Sequence, residues 1–223
     1  MLESKSQSQT IAMVIIGAGG HGVCVMDAAR ACGFRIRAFI DPACAGRQLC
    51  GLPVLGTEPE AWADEPLTYA VAIGDNARRT EIGAGILENR GDGALPPVIH
   101  PGSVVSSFSE IGAGSVILQG ACVGPNSSLG RLVLLGSCSS VDHDSRLADG
   151  ASLGPGAILG GNVRVGERSA ICIGAVVRHG MSIGMDTVLG ANSYLDRELG
   201  DGVVAYGSPA SVRRQRRRGD RYL

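Results

Sequence analysis

Asp142-His143-Asp144 is the point in this 223-residue chain where side chains able to move a proton stand closest together. An imidazole beside a carboxylate is a general base held in one tautomer, with a pKa near neutrality. His143 is therefore the candidate base, and Asp144 or Asp142 its orienting partner. The six residues before it, Gly136 to Val141, are small or aliphatic and uncharged, so the cluster is unlike a solvated loop that happens to carry one histidine. A second candidate is Gly17-Ala18-Gly19-Gly20-His21-Gly22, with Asp41 about twenty residues on. Glycines at a strand-to-helix turn let backbone N–H groups approach a phosphate, and an acidic residue after the next strand can bind a ribose or base. The other reading of the glycines is a tight turn packed against a neighbouring element. A third candidate is Gly74-Asp75-Asn76 with Arg78 and Arg79. It stands where open α/β sheets bind ligands, at the carboxyl end of a strand. Asn76 either caps the helix that follows or contacts the ligand. One of the two arginines faces solvent, and Arg79 is a candidate contact for the substrate.

The elements that must carry these residues follow from periodicity. From Ile99 to Leu195 every sixth residue is aliphatic, among them Ile117, Leu135, Leu153, Ile171 and Leu189. Glycine often follows, and a small residue such as Ser115, Ser127 or Ala157 stands four places on. A period of six fits neither an amphipathic helix nor an alternating strand. It fits a hexapeptide parallel β-helix, three hexads to an 18-residue coil, with the aliphatic residue pointing inward. His143 then sits on the outer surface. The preceding segment reads βαβ(α)βα: strands over 11–16, 35–40 and 68–73, helices over 21–32 and 77–89, and a short helix capped by Thr57 with Glu60. That order implies a small parallel sheet flanked by helices. The expected domains are 1–97, an α/β half-Rossmann-like unit; 98–212, an all-β parallel β-helix; and 213–223, a basic tail. The tail carries six arginines. It is either a solvated end or, through Arg213 or Arg214, a contact for phosphates.

Composition excludes several functions. A net charge of −1 gives no reason to expect nucleic acid or a membrane surface as partner. No run approaches the ~20 apolar residues of a membrane span. Met1–Thr10 is polar and lacks a signal-peptide core. The seven cysteines form no C-x-x-C pair, which points to reduced thiols and a cytoplasmic location. NAD is not expected, because a dinucleotide needs two mononucleotide halves and the chain has room for one. Metal is not expected either. His143 and His179 are two coils apart, roughly 10 Å at the strand spacing of a sheet, too far to share a zinc ion at ~2 Å per bond.

GAGGHG at 17–22, AFID at 38–41, AIGDN at 72–76, IHP at 99–101, VDHD at 141–144, LGPGAILGGNVRVG at 153–166 and GSPA at 207–210 together resemble one family. They are similar in type and order to the hexapeptide-repeat acetyltransferases of nucleotide-linked amino sugars. These are the bacillosamine and perosamine N-acetyltransferases, grouped with sialic acid O-acetyltransferase-like proteins. The resemblance implies a left-handed β-helix, a homotrimer, and acetyl-CoA as co-substrate in the groove between neighbouring β-helices. It places the nucleotide-linked amino sugar against Gly19, Gly20, His21, Asp41, Gly74 and Asn76. It makes His143 the base and Asp144 its acidic neighbour, and puts the Gly161 amide near the thioester carbonyl. Ser152, Ile173 and Ala191 fall on the coenzyme side. Many members carry a second histidine where this chain has Ser152, and Asn-Thr where it has Gly136-Ser137. The expected activity is N-acetylation of a nucleotide-linked 4-amino-4,6-dideoxy sugar. O-acetylation of a sialic-acid-type sugar and a non-catalytic nucleotide-sugar-binding trimer are the alternatives.

Overall fold

The computed structural model describes residues 12–220. Residue 11 and the polar start therefore lie outside the described residues, as do 221–223. The first unit is a five-stranded sheet. Strand β1 (Ala12–Ile16), helix α1 (Gly20–Ala31) and β2 (Arg35–Ile40) lead into β3 (Gln48–Leu49) and β4 (Leu52–Leu55). Then come β5 (Leu67–Val71) and helix α2 (Asn76–Arg90). The order is β3-β4-β2-β1-β5, parallel except for the β3 edge. The β3–β4 hairpin is missing from the sequence reading. Its strands are two and four residues long around Cys50-Gly51, too short to show an alternation. The Thr57-capped helix is also corrected. Residues Glu60–Trp62 form one 3₁₀ turn preceded by Pro59, with no side-chain cap.

The hexads build the expected left-handed parallel β-helix. Each coil places a two-residue strand on each of three faces. The 18-residue period is the strand register itself: Leu134 pairs with Ser152, Cys122 with Ser140, and Ser128 with Arg146. Inward side chains such as Ile117, Leu135, Leu153 and Leu159 are fully buried. At four corners the small residue does more than fit. Ser115, Ser127, Ser145 and Ser169 are buried, and each hydroxyl accepts the N–H of the next coil, at 2.8–3.1 Å. The spacing implied only a shortage of room there.

The outward residues make the three faces unlike. The first carries Val98, Val116 and Leu118, which share a core with Met13, Ile15, Val25 and Phe39 of the α/β unit. The second is apolar and open: Val104 is 69% exposed and Ile158 45%, with Val176 and Tyr194 further along the stack. The third is polar, with Glu110, Arg146 and Arg164. A hairpin of Val203–Gly207 and Ala210–Gln215 closes the last coil. The basic tail expected from 213 is thus corrected. Arg213 and Arg214 lie within a strand, and Arg216 is buried with its Nη1 donating to the Asp186 carbonyl at 2.8 Å. A run of arginines hides a hairpin because guanidinium groups reach water from an edge strand. Among the described residues no helix is long and apolar enough to cross a membrane, and all seven cysteines are free thiols.

Candidate active site

His143 occupies the corner between the second and third faces. The two carboxylates beside it do different work. Asp142 Oδ1 accepts the His143 backbone N–H at 2.8 Å and so fixes the main chain of the turn. Asp144 Oδ2 lies 2.7 Å from His143 Nδ1 and holds the ring. Asp144 reaches that position from a left-handed backbone, φ +58°, a conformation Asp tolerates better than most residues. The hydrogen bond to Asp144, then the charge of Asp142, raises the imidazole pKa above its ordinary value. The same bond, with a second from Asn126, holds the Asp144 carboxyl below its usual range. With Nδ1 engaged, Nε2 is the atom left to take a proton. It lies against Gly161, where an added Cβ would come within 2.5 Å. Among the described residues the ladder of the coil gives the Gly161 N–H no backbone acceptor. A proton acceptor and an amide donor therefore stand side by side at this corner.

A cavity of about 610 Å³ lies along the first face, between the α/β unit and the terminal hairpin. His21 and Gly74 line one end and Arg214 the other, with Leu118, Leu134 and Val188 between them. Ser152, Ile173 and Ala191, expected on the coenzyme side, all line it. His143 does not. Ile173 and Ala191 stand on the corner between the first and second faces, and His143 on the corner beyond.

The glycine loop divides into structural and open positions. A Cβ on Gly17 would meet the Ala72 carbonyl oxygen at 2.7 Å, and one on Gly22 the Gly17 oxygen at 2.2 Å. Both glycines serve packing. Gly19 and Gly20 have open space around the same position. Gly19 precedes the first turn of α1 and gives it no side-chain cap, so N–H groups there are available to an anion. Asp41 binds both oxygens to the main chain, accepting from Ala18 N–H and Ala43 N–H at 3.0 Å each. Its first role is to tie the glycine loop to the end of β2. His21 Nε2 is buried with no hydrogen-bond partner among the described residues, and burial, then the charge of Arg79, lowers its pKa.

Two expected substrate contacts are corrected. Asn76 and Arg79 are 0% and 1% exposed and join the two units. Asn76 Nδ2 donates to Ser152 Oγ and to the carbonyls of Arg168 and Ser169. Arg79 donates to the carbonyls of Leu132 and Gly150 on the β-helix and to Asn76 Oδ1. Nor is Asn76 the cap: Asp75 is, accepting from Arg78 N–H at 2.8 Å. Local sequence placed these residues after a strand, where ligands bind. What it did not contain is the β-helix surface that covers them. Arg78, with 59% of its side chain exposed, is the solvent-facing arginine.

A left-handed β-helix with an oriented histidine on one corner, and an apolar cavity against a nucleotide-type α/β unit, is the architecture of a hexapeptide-repeat acyltransferase. Residues 12–84 match the family described as the PglD N-terminal domain. No curated protein sequence matches the chain. The structure is similar to GDP-perosamine N-acetyltransferase from Caulobacter crescentus, solved as a histidine-to-alanine mutant with CoA and GDP-perosamine. The identity is 35%, over 92% of this chain and 97% of that one, with a TM-score of 0.85. It is also similar to the acetyltransferase domain of PglB from Neisseria gonorrhoeae in complex with acetyl coenzyme A. There the identity is 34%, over 90% of this chain and 98% of that one, with a TM-score of 0.84. The chain belongs to this family of perosamine- and bacillosamine-type sugar N-acetyltransferases, and it is an acyltransferase.

Proposed function

We propose that this enzyme transfers the acetyl group of acetyl-CoA to the amine of a nucleotide-linked 4-amino-4,6-dideoxy sugar. The observation that carries the reading is the His143–Asp144 pair, with Nε2 turned to Gly161, in a chain 35% identical to an enzyme whose structure holds CoA and GDP-perosamine. The sugar amine attacks the thioester carbonyl. His143 Nε2 takes the amine proton as the C–N bond forms, and Asp144 stabilises the imidazolium through Nδ1–H. The Gly161 N–H donates to the oxyanion. Collapse of the tetrahedral intermediate expels the CoA thiolate.

The faces of the prism support a homotrimer. Within one chain His143 and the cavity lie on opposite edges of the second face, a strand and its turn apart, with a reach of up to about 20 Å for six residues. A small acetyl group cannot span that. The second face between them is the open apolar one. Threefold packing through it would bring the histidine corner of one protomer to the cavity of the next. Acetyl-CoA then lies along the cavity with its phosphates toward Arg214 and its thioester toward Ser152. The nucleotide occupies the open side of Gly19–Gly20.

Thiol release from acetyl-CoA is measured against GDP-, UDP- and dTDP-linked 4-amino sugars, with free sialic acid beside them. Turnover with one nucleotide-linked amine, falling about 10²–10⁴-fold in His143→Ala while both ligands still bind, is expected. A normal rate in that variant would remove His143 as the base. Turnover with sialic acid alone would make the enzyme an O-acetyltransferase.

A further inference from the structure

The carboxylate that orients His143 is itself held from the coil below. Asn126 lies 18 residues before Asp144, at the same corner position, and its Nδ2 donates to Asp144 Oδ1 at 3.3 Å. The other oxygen, Oδ2, is the one at 2.7 Å from His143 Nδ1. A carboxylate anchored through a single oxygen can rotate about its side-chain bonds. Engaged through both, on two different coils, its plane is set. Asp142 is engaged elsewhere, its Oδ1 accepting the His143 backbone N–H at 2.8 Å. Asn126 and Asp144 share a φ of +58°, and Asn162 above them has +55°. These side chains thus leave the same corner in the same direction, one above another, which is what lets an amide reach the carboxylate of the next coil.

We propose that Asn126 is a positioning residue for the acyl transfer: its amide fixes the Asp144 carboxylate so that the His143 ring presents Nε2 toward Gly161. This rests on the reading of His143 as the base. The groups stacked against His143 do not titrate: Gly124, Pro125 and Asn126 lie below it, and Gly160, Gly161 and Asn162 above. Beyond Asp142 and Asp144, the charged groups close by are Arg146 and Arg164, exposed at the start of the adjoining strands of the third face, and then Arg178 and His179 two coils up on this corner.

The test is Asn126→Gly in the full-length enzyme. Glycine keeps the left-handed backbone without strain, and Gly180 already occupies the same corner position at φ +72°. The fold is therefore retained and only the amide is lost. Three quantities are read: kcat, the KM for both substrates, and the pKa of His143 by NMR of histidine-labelled protein. Loss of the amide is expected to lower kcat roughly three- to ten-fold, with both KM values within two-fold. The His143 pKa falls toward its ordinary value as Asp144 swings away. Asn126→Asp, which removes the donor and adds a charge, moves it up. Unchanged kcat and an unchanged His143 pKa in Asn126→Gly would overturn the proposal. So would a fall in kcat with no movement of the pKa, since that is a structural effect. The NMR titration needs no turnover, so failure of the His143 assignment, seen as full activity in His143→Ala, is distinguishable from failure of this one.

Discussion

Gly161→Ala tests how closely the base is placed. The new Cβ would sit 2.5 Å from His143 Nε2 and 2.6 Å from Cε1, while ordinary contact begins at 3.4 Å. The shortfall against that limit is about 0.9 Å. The ring has to move, because Gly161 belongs to a coil held on both sides: its carbonyl accepts from Gly180 N–H at 2.9 Å, and Asn162 N–H donates to the His143 carbonyl at 2.8 Å. His143 is free to swing outward, with 55% of its side chain exposed. Stability should therefore be almost untouched. Catalysis should not be, since a misplacement of about 1 Å costs on the order of 10²-fold in rate. The assay is steady-state thiol release with saturating acetyl-CoA, beside a thermal melt. The expected result is a kcat about 100-fold down, a KM for acetyl-CoA little changed, and a melting temperature within a few degrees of the parent. Movement away from Asp144 also shifts the acid limb of the rate profile to lower pH. A kcat within three-fold of the parent would show that Nε2 need not lie where the structure puts it, and would refute the mechanism drawn from it.

The pH profile itself carries a sign. His143 works unprotonated, and its pKa is raised by the bond to Asp144 and the charge of Asp142, so kcat should fall as pH drops through a value above the ordinary histidine range. Asp142→Asn should move that limb down, and a limb that stays in place would show that its charge does not reach the ring. Asn76→Ala removes donors to Ser152, Arg168 and Ser169 between the two units. It should cost about 1–3 kcal/mol, read by denaturant melts, and a stability equal to the parent would place that junction elsewhere. Arg214→Ala should raise the KM for acetyl-CoA several-fold with kcat preserved, and the effect should shrink with dephospho-CoA. Equal KM values would remove Arg214 from the coenzyme site.

How far each part could be read depended on the length scale of its signal. The β-helix was legible because each inward aliphatic residue makes the same contact in every coil, so the requirement repeats along the chain. The His143 corner was legible because its partners are neighbours in sequence: Asp142 and Asp144 act on the very next residues. The glycine loop was half legible. Sequence supplied the four glycines but not which of them face packed backbone and which face open space. Asn76 and Arg79 could not be read, because their acceptors lie 53 to 93 residues away on another element. Nor could the hydroxyl ladder, Asn126 against Asp144, or the buried Arg216, since each joins residues at least a coil apart. The sequence by itself determined the prism, its period and the grouping of a histidine with two carboxylates on its corner, since these are set by nearest neighbours and by repetition. Only the tertiary structure decided which polar groups are turned inward to join the units and which remain available to substrate. That choice is made where two surfaces meet and strip water from what lies between them, and no local pattern in the chain records it.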